Sequence, residues 1–276
     1  LRLGYNMRIY RPGIWYLNPY LNDTDPSYIS QGNSELDSEK SHAFNLSYSN
    51  FTQKFNINLS ARYSFTNNSI ENVTKLMPDT EIEGLKNPTG KDVLYSTYAN
   101  IGKTRRASVS AYVNWNATPR TRIYMNMSGD YSYMEGSEGM RNDGWSLFAY
   151  GGAQQTLPHD WRISLNVFGQ TPWIMLQGKG SSFFDYGLSV NKSFLNKRLT
   201  LSAFASNFFK KYMDQSSTTE GAGFIRESSY KYSRQRFGIS VSYRIGELKA
   251  SVKKAARTIS NDDVKSGGSG SGGGGE

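Results

Sequence analysis

The sequence holds no cysteine, which excludes disulfides, thiol chemistry and thiolate metal sites. Histidine occurs only twice, as His42 and His159. No run of about 18 apolar residues is present, so no segment reads as a transmembrane helix. Hydrophobic content is low at 37%. Few Leu and Val, against abundant Asn, Ser and Tyr, argue against a tightly packed soluble α/β core. What is plentiful is aromatic: 14% of residues, including 19 Tyr. The net charge is +9, but the cations are scattered rather than gathered on one helix, so nucleic acid is a poor partner.

Alternation of apolar and polar residues fills the space left by these absences. In Arg236–Ile245 the residues Phe237, Ile239, Val241, Tyr243 and Ile245 alternate with polar or small ones. A period of two puts one apolar and one polar face on a β-strand. The same period predicts strands over 1–10, 43–49, 54–65, 106–115, 121–133, 145–155, 161–170, 184–192 and 199–208. Between them, Arg11-Pro12-Gly13 reads as a breaker, 66–104 as a long segment that carries the outer part of the next strand, 135–144 as a Gly-rich loop and 210–230 as a loop.

The connections alternate long and short. Antiparallel up-and-down transmembrane barrels have this asymmetry, with short turns on the periplasmic side and long loops outside. The phase predicts that the first strand rises outward and that the C-terminus is periplasmic. Trp115, Trp145 and Trp161 lie on the apolar phase near strand ends, as do Tyr63, Phe65, Tyr131 and Tyr133 near the outer ends. Aromatic belts at two bilayer interfaces produce this distribution. A soluble β-sandwich with aromatic turns is the competing architecture. The expected fold is all-β, an antiparallel up-and-down transmembrane barrel of about ten strands over 1–246.

Several motifs then carry a family likeness. Arg236, Gly238, Val241 and Tyr243 resemble the C-terminal signal that hands bacterial outer-membrane barrels to their assembly machinery, with Gly238, Val241 and Tyr243 as its core. Leu17-Asn18-Pro19, followed by Gly32-Asn33-Ser34-Glu35-Leu36-Asp37-Ser38-Glu39-Lys40-Ser41, resembles a segment of TonB-dependent outer-membrane receptors, with Ser34 and Ser38 in place of two prolines. Phe194 to Phe209 and Tyr232 to Arg244 resemble the last two strands of that family, and Leu248 to Arg257 with the glycines behind it resembles the non-SusC group of Bacteroidetes. The resemblance implies a 22-stranded barrel of which this chain supplies the ten C-terminal strands. It also implies an N-terminal plug and first barrel half that are missing here, and coupling to TonB through that missing part. Leu1 falls inside an alternating stretch, which likewise predicts a piece of a longer protein.

Chemistry-bearing residues are few. His159-Asp160 reads either as half of a catalytic dyad or as turn chemistry after Pro158. Asp23, Asp25 and Glu35 could bind calcium but lack the spacing of a calcium loop. No catalytic, cofactor or metal residue is therefore predicted. Loop aromatics Trp15, Tyr16, Tyr20, Tyr28, Trp173 and Tyr212 are candidates to stack on a ligand such as a sugar or an aromatic chelator, or simply to pack on one another. Arg62, Arg106, Tyr124, Asp130, Tyr150 and Arg162, with Phe148, Phe168 and Arg198, are expected to face the lumen. Residues 247–264 form a basic periplasmic tail, read as a short amphipathic helix or as continued strand, and 265–276 a flexible Gly/Ser-rich end.

The expected function is uptake of a scarce or bulky nutrient by a TonB-dependent receptor that is not an enzyme. Its expected partners are the lipid bilayer, the assembly machinery and other outer-membrane subunits. Two alternatives stand beside it: a receptor-fold structural subunit of a larger complex, and a complete ten-stranded barrel acting as enzyme or adhesin.

Overall fold

In the computed structural model of the chain, residues 1–246 and 264–265 are described. The expectations for a tail over 247–264, helix or continued strand, and for a flexible end over 265–276 fall outside them but for Val264–Lys265. Ten strands form the wall: β1 (Arg2–Pro12), β2 (Glu39–Phe51), β3 (Phe55–Pro78), β4 (Asp92–Thr118), β5 (Thr121–Glu135), β6 (Arg141–Leu157), β7 (Trp161–Gln170), β8 (Phe183–Phe194), β9 (Leu199–Ser206) and β10 (Arg236–Tyr243). Each pairs antiparallel with its neighbours in sequence, so the wall is one continuous meander. A second, small sheet is confined to the connections between β7 and β8 and between β9 and β10.

The register aligns the alternation of every strand. One row reads Leu3, Leu46, Ala61, Val109, Gly129, Leu147. Another reads Phe55, Trp115, Ile123, Ala153, Leu165, Leu188, Ala205, Phe237. The intervening rows are polar, as in Asn45, Arg62, Ser108, Asp130, Ser146. A slip of one residue in any strand would exchange its two faces. The apolar face is uncovered by the described residues: Val109 is 62% exposed, Leu147 52% and Ile239 82%. So large an exposed apolar surface is foreign to a soluble monomer.

Aromatic rows border this face. Toward the long connections run Tyr5, Phe44, Tyr63, Tyr131 and Trp145. His42 stacks between Tyr5 and Phe65, with ring centroids 6.2 and 4.9 Å away. Toward the short turns lie Phe55, Trp115 and Trp161. From Ile123 to Tyr131 the strand runs roughly 27 Å at about 3.4 Å per residue, enough to cross an apolar band about 25 Å tall.

The buried core sits beyond the wall, among the long connections. Three clusters form there, around Tyr16, Leu36 and Ile70; around Ile29, Ile82 and Val93; and around Met134, Ile174 and Leu176. Several expectations are corrected accordingly. The chain does not break at Arg11-Pro12, because β1 extends through Pro12 and a single helical turn, Ile14–Leu17, follows Gly13. The segment 66–104 is mostly strand: β3 and β4 continue as a hairpin pairing as far as Pro78 with Asp92, past an irregularity at Thr66–Ser69. The Gly-rich loop over 135–144 shrinks to the one-turn connection Ser137–Gly139, since β5 and β6 pair from Glu135 and Arg141 onward. The loop over 210–230 is a hairpin, Tyr212–Gly221 with Phe224–Ser233. In each case backbone outside the wall satisfies its own N–H and C=O groups by continuing the ladder.

The two faces should respond differently to charge. Val109→Arg, on the uncovered apolar face, should cost about 2–4 kcal/mol in a bilayer refolding titration. Ser110→Arg, whose parent hydroxyl meets Ser60 Oγ at 2.6 Å on the polar face, should cost much less. Equal losses would refute the assignment of faces.

Candidate functional site

Where the polar face of the wall meets the connections, a cavity of about 640 Å³ opens. Arg62, Ser64 and Arg106 rise from the wall as its floor, and Trp173–Gln177 crosses above. Arg62 and Arg106 are diagonal neighbours, since Arg62 pairs with Ser108 and Arg106 with Ser64. Asp130 lies one strand further, accepting a hydrogen bond from Ser108. Glu39, 5% exposed at the start of β2, accepts the Ile70 N–H and lines the same cavity with Glu71.

Two side-chain amides hold the crossing segment in place. Gln177 bonds both backbone groups of Thr74: its Oε1 accepts from Thr74 N at 2.7 Å and its Nε2 donates to Thr74 O at 2.9 Å. One side chain thus reproduces a strand pairing between distant parts of the chain. Asn142 Nδ2 donates to the carbonyls of Met175 and Gly178, at 2.7 and 2.8 Å. Trp173 lies flat on Gly180, where a Cβ would come within 2.0 Å of its indole. Neither Gln177 nor Asn142 is singled out by the sequence, because an isolated amide in a polar loop carries no pattern.

The six loop aromatics do not converge. Tyr16 and Trp173 line the cavity. Tyr16 is buried against Tyr98 in an edge-on contact at 4.5 Å; burial pushes its hydroxyl up to about 12, with Tyr98, Glu39 and Glu71 adding to the shift. Tyr28 carries the Arg226 guanidinium 3.7 Å above its ring, and Tyr212 is flanked by Lys211 and Lys231 at 5.3 and 5.5 Å. Trp15 and Tyr20 are exposed.

On the polar face, Tyr124, Tyr150, Phe168 and Phe183 form a chain of tilted ring contacts with centroid separations of 5.8, 6.5 and 4.7 Å, and Phe148 meets Phe168 edge-on at 5.3 Å. Tyr124 donates to Asn166 across Gly152, whose missing side chain leaves room for the phenol. Phe183 escapes the sequence reading because it begins β8 one residue earlier than expected. Arg162 sits between Thr156 and Asn191, two neutral neighbours.

The remaining candidates scatter. His159 and Asp160 both adopt left-handed backbone in the turn between β6 and β7, at φ 59° and 58°. Asp160 lies 4.0 Å from Lys197. Asp25 accepts from Ser27 N and Oγ, closing a local turn. Among the described residues no group of three His, Asp or Glu side chains is placed to hold a metal. In β10, Val241 and Tyr243 join the apolar face opposite Leu201 and Leu199, whereas Gly238 lies under Phe204, 2.4 Å from where its Cβ would be.

A family model described as "Outer membrane protein beta-barrel family" matches residues 1–243. The chain belongs to this family. No curated protein matches it. Membership accounts for the uncovered face: in an outer-membrane barrel those rows meet lipid and the aromatic rows lie at the interfaces. The cavity of this barrel protein therefore lies on the polar side, at one mouth.

The clasp and the hairpin tip give two tests. Gln177→Ala leaves the buried Thr74 amide without a partner, which costs about 1–3 kcal/mol locally. Hydrogen exchange should speed at Thr74 and along 173–180 while amides of β5 stay protected. At the hairpin tip, the backbone N–H of Thr89 first, then its hydroxyl and the Gly90 N–H, hold Asp79 below its ordinary carboxylate value. The stabilisation is complete above that ordinary value and disappears as pH falls through the lowered one. Exchange at Thr89 and Gly90 should stay slow in mild acid and quicken only at lower pH; Asp79→Asn should show no such transition.

Proposed function

We propose that this outer-membrane barrel takes up a scarce or bulky nutrient as part of a TonB-dependent receptor. Its wall, mouth and loops form the solute-facing surface, without enzymatic activity. The observation carrying this reading is the mouth cavity of about 640 Å³, a volume in the range of small-molecule sites, floored by arginines and roofed by a clasped segment. The aromatic row Tyr124, Tyr150, Phe168 and Phe183 supports it, because such rings offer apolar faces to a sugar or aromatic solute along the polar side. The receptor-like motifs at 17–41 and 194–244 supply the link to TonB, which would pull on a plug carried outside this sequence.

In this reading the long connections are extracellular, the C-terminus is periplasmic and the assembly machinery recognises Gly238, Val241 and Tyr243. The barrel would be 22-stranded, with these ten strands last. Growth on single limiting glycans, vitamins or iron chelates tests the proposal. Deleting the gene should abolish growth on one of them, deleting TonB should do the same, and Trp173→Ala should raise the concentration needed. A deletion strain that grows normally on every nutrient but loses an outer-membrane complex would overturn uptake in favour of a structural subunit.

A further inference from the structure

Charge divides sharply between the two ends of the wall. Among the described residues, every carboxylate except Asp130 and Asp160 lies at or beyond the long-connection ends of the strands. The short-turn end carries Lys54, Arg120, Lys192 and Lys197 around the turns, and Arg122 and Arg162 just inside the polar face. Among the described residues Asp160, 4.0 Å from Lys197, is the one acid facing them. The described part of this rim is basic but for Asp160, whereas ion pairs Lys75–Glu138, Lys103–Glu135 and Arg141–Asp143 balance the other end.

Lys192 shows which way the rim faces. It lies in the apolar row with Trp161, Leu201 and Val241, and among the described residues is the one charged residue of that face in the short-turn half. Its ammonium sits 5.3 Å from the Trp161 ring and 5.3 Å from the Phe194 ring, and donates to the His159 carbonyl in the turn. The stem thus runs along the lipid-facing surface and the charge ends at the aromatic interface row, the geometry of a snorkelling lysine. At that depth the groups outside the protein are lipid headgroups.

We infer that the short-turn rim is a binding surface for anionic glycerophospholipid headgroups, with Lys192 over Trp161 and Phe194 as its membrane-level contact and Lys54, Arg120 and Lys197 as the turn cations above it. A headgroup phosphate accepts from the ammonium groups, and the net negative charge of a phosphatidylglycerol-type lipid distinguishes it from a zwitterionic one. Attraction of this kind acts per cation and weakens with salt.

The test uses the native outer-membrane protein that carries this chain, held in micelles with an equimolar mixture of phosphatidylcholine and phosphatidylglycerol. Lipids retained after gel filtration are counted by native mass spectrometry. The wild type should retain phosphatidylglycerol in excess, less so in high salt. Lys192→Gln should lower the preference by up to about five-fold and reduce quenching of Trp161 by brominated phosphatidylglycerol. The combined Lys54→Gln, Arg120→Gln, Lys197→Gln variant, altered only outside the ladder, should lower it further while folding normally. Lys103→Gln with Arg105→Gln, at the opposite end, should leave it unchanged. Retention of the two lipids in equal numbers by the wild type, an unchanged preference in both short-turn variants, or an equal loss in the long-connection variant would overturn the inference.

Discussion

Hydrocarbon offers no hydrogen-bond partner, so every backbone N–H and C=O crossing it must be satisfied by a neighbouring strand. The ladder from β1 to β10 obeys that demand, and side-chain placement follows from it. Once pairing is continuous, each residue shares its face with a row of cross-strand neighbours, and one polar residue out of phase would enter lipid. Hence Leu3, Leu46, Ala61, Val109, Gly129 and Leu147 align without exception. Bulk within such a row need not match. Leu147 leans over Gly129, 3.2 Å from where a Cβ would stand, so large residues fill space left by small ones.

Beyond the aromatic rows water returns, and with it the drive to bury apolar surface. This is why Tyr16, Ile29, Ile70, Ile82, Val93, Ile174 and Leu176 form the chain's only compact clusters there, among the described residues. The connections are folded structure rather than slack: a short strand Tyr28–Ser30 adds in parallel to β4, and Gln177 supplies by side chain the pairing that backbone geometry cannot. The mouth cavity lies between the polar face of the wall and this roof, which is clasped through Gln177 and packed on Met134 of β5.

The wall was legible in sequence because its signal is redundant. Ten stretches each repeat the period, and β7 spans Trp161–Gln170, the stretch its alternation predicts. The roof was illegible for physical reasons. Thr66-Asn67-Asn68-Ser69, where β3 leaves the membrane zone, is polar throughout and breaks the alternation, yet the ladder resumes at Ile70 with Asn100. In Tyr212–Gly221 the polar run Asp214 to Glu220 hides a strand whose partner, Phe224–Ser233, lies just across a tight turn at Gly223. With water on both sides such strands need no apolar face. Gln177 and Asn142 act only through residues more than 30 positions away, a separation no local pattern reports. Lys192 could have been noticed, since it is a charge on the apolar phase of its strand; its meaning required the pairing of β7 with β8, which places Trp161 beside it.

The same backbone rule bears on the sheet's two outer strands. No ladder joins β1 to β10 among the described residues; β1 instead meets Val264–Lys265, in parallel, only at Arg11 and Pro12. Over the rest of its length β1 has no partner on one side among the described residues, nor does β10, while Leu3, Met7, Phe237 and Ile239 present the same apolar face as the interior strands. Both edges are therefore built to lie in lipid, where bare N–H and C=O groups cost several kcal/mol each. On the apolar phase neither edge carries a charge or proline of the kind that blunts edges in water, from Leu3 to Ile9 or from Phe237 to Tyr243; Arg2, Arg8 and Arg236 lie on the polar phase, and Arg11 and Pro12 stand at the end of β1, past the aromatic row. Pairing along β10 is moreover prepared from the side by Phe204, whose ring fills the space over Gly238 and fixes that strand against β9. An edge so firmly held and so apolar is a template for a further antiparallel strand, and in the membrane the wall is stable only when both edges are taken up in that way.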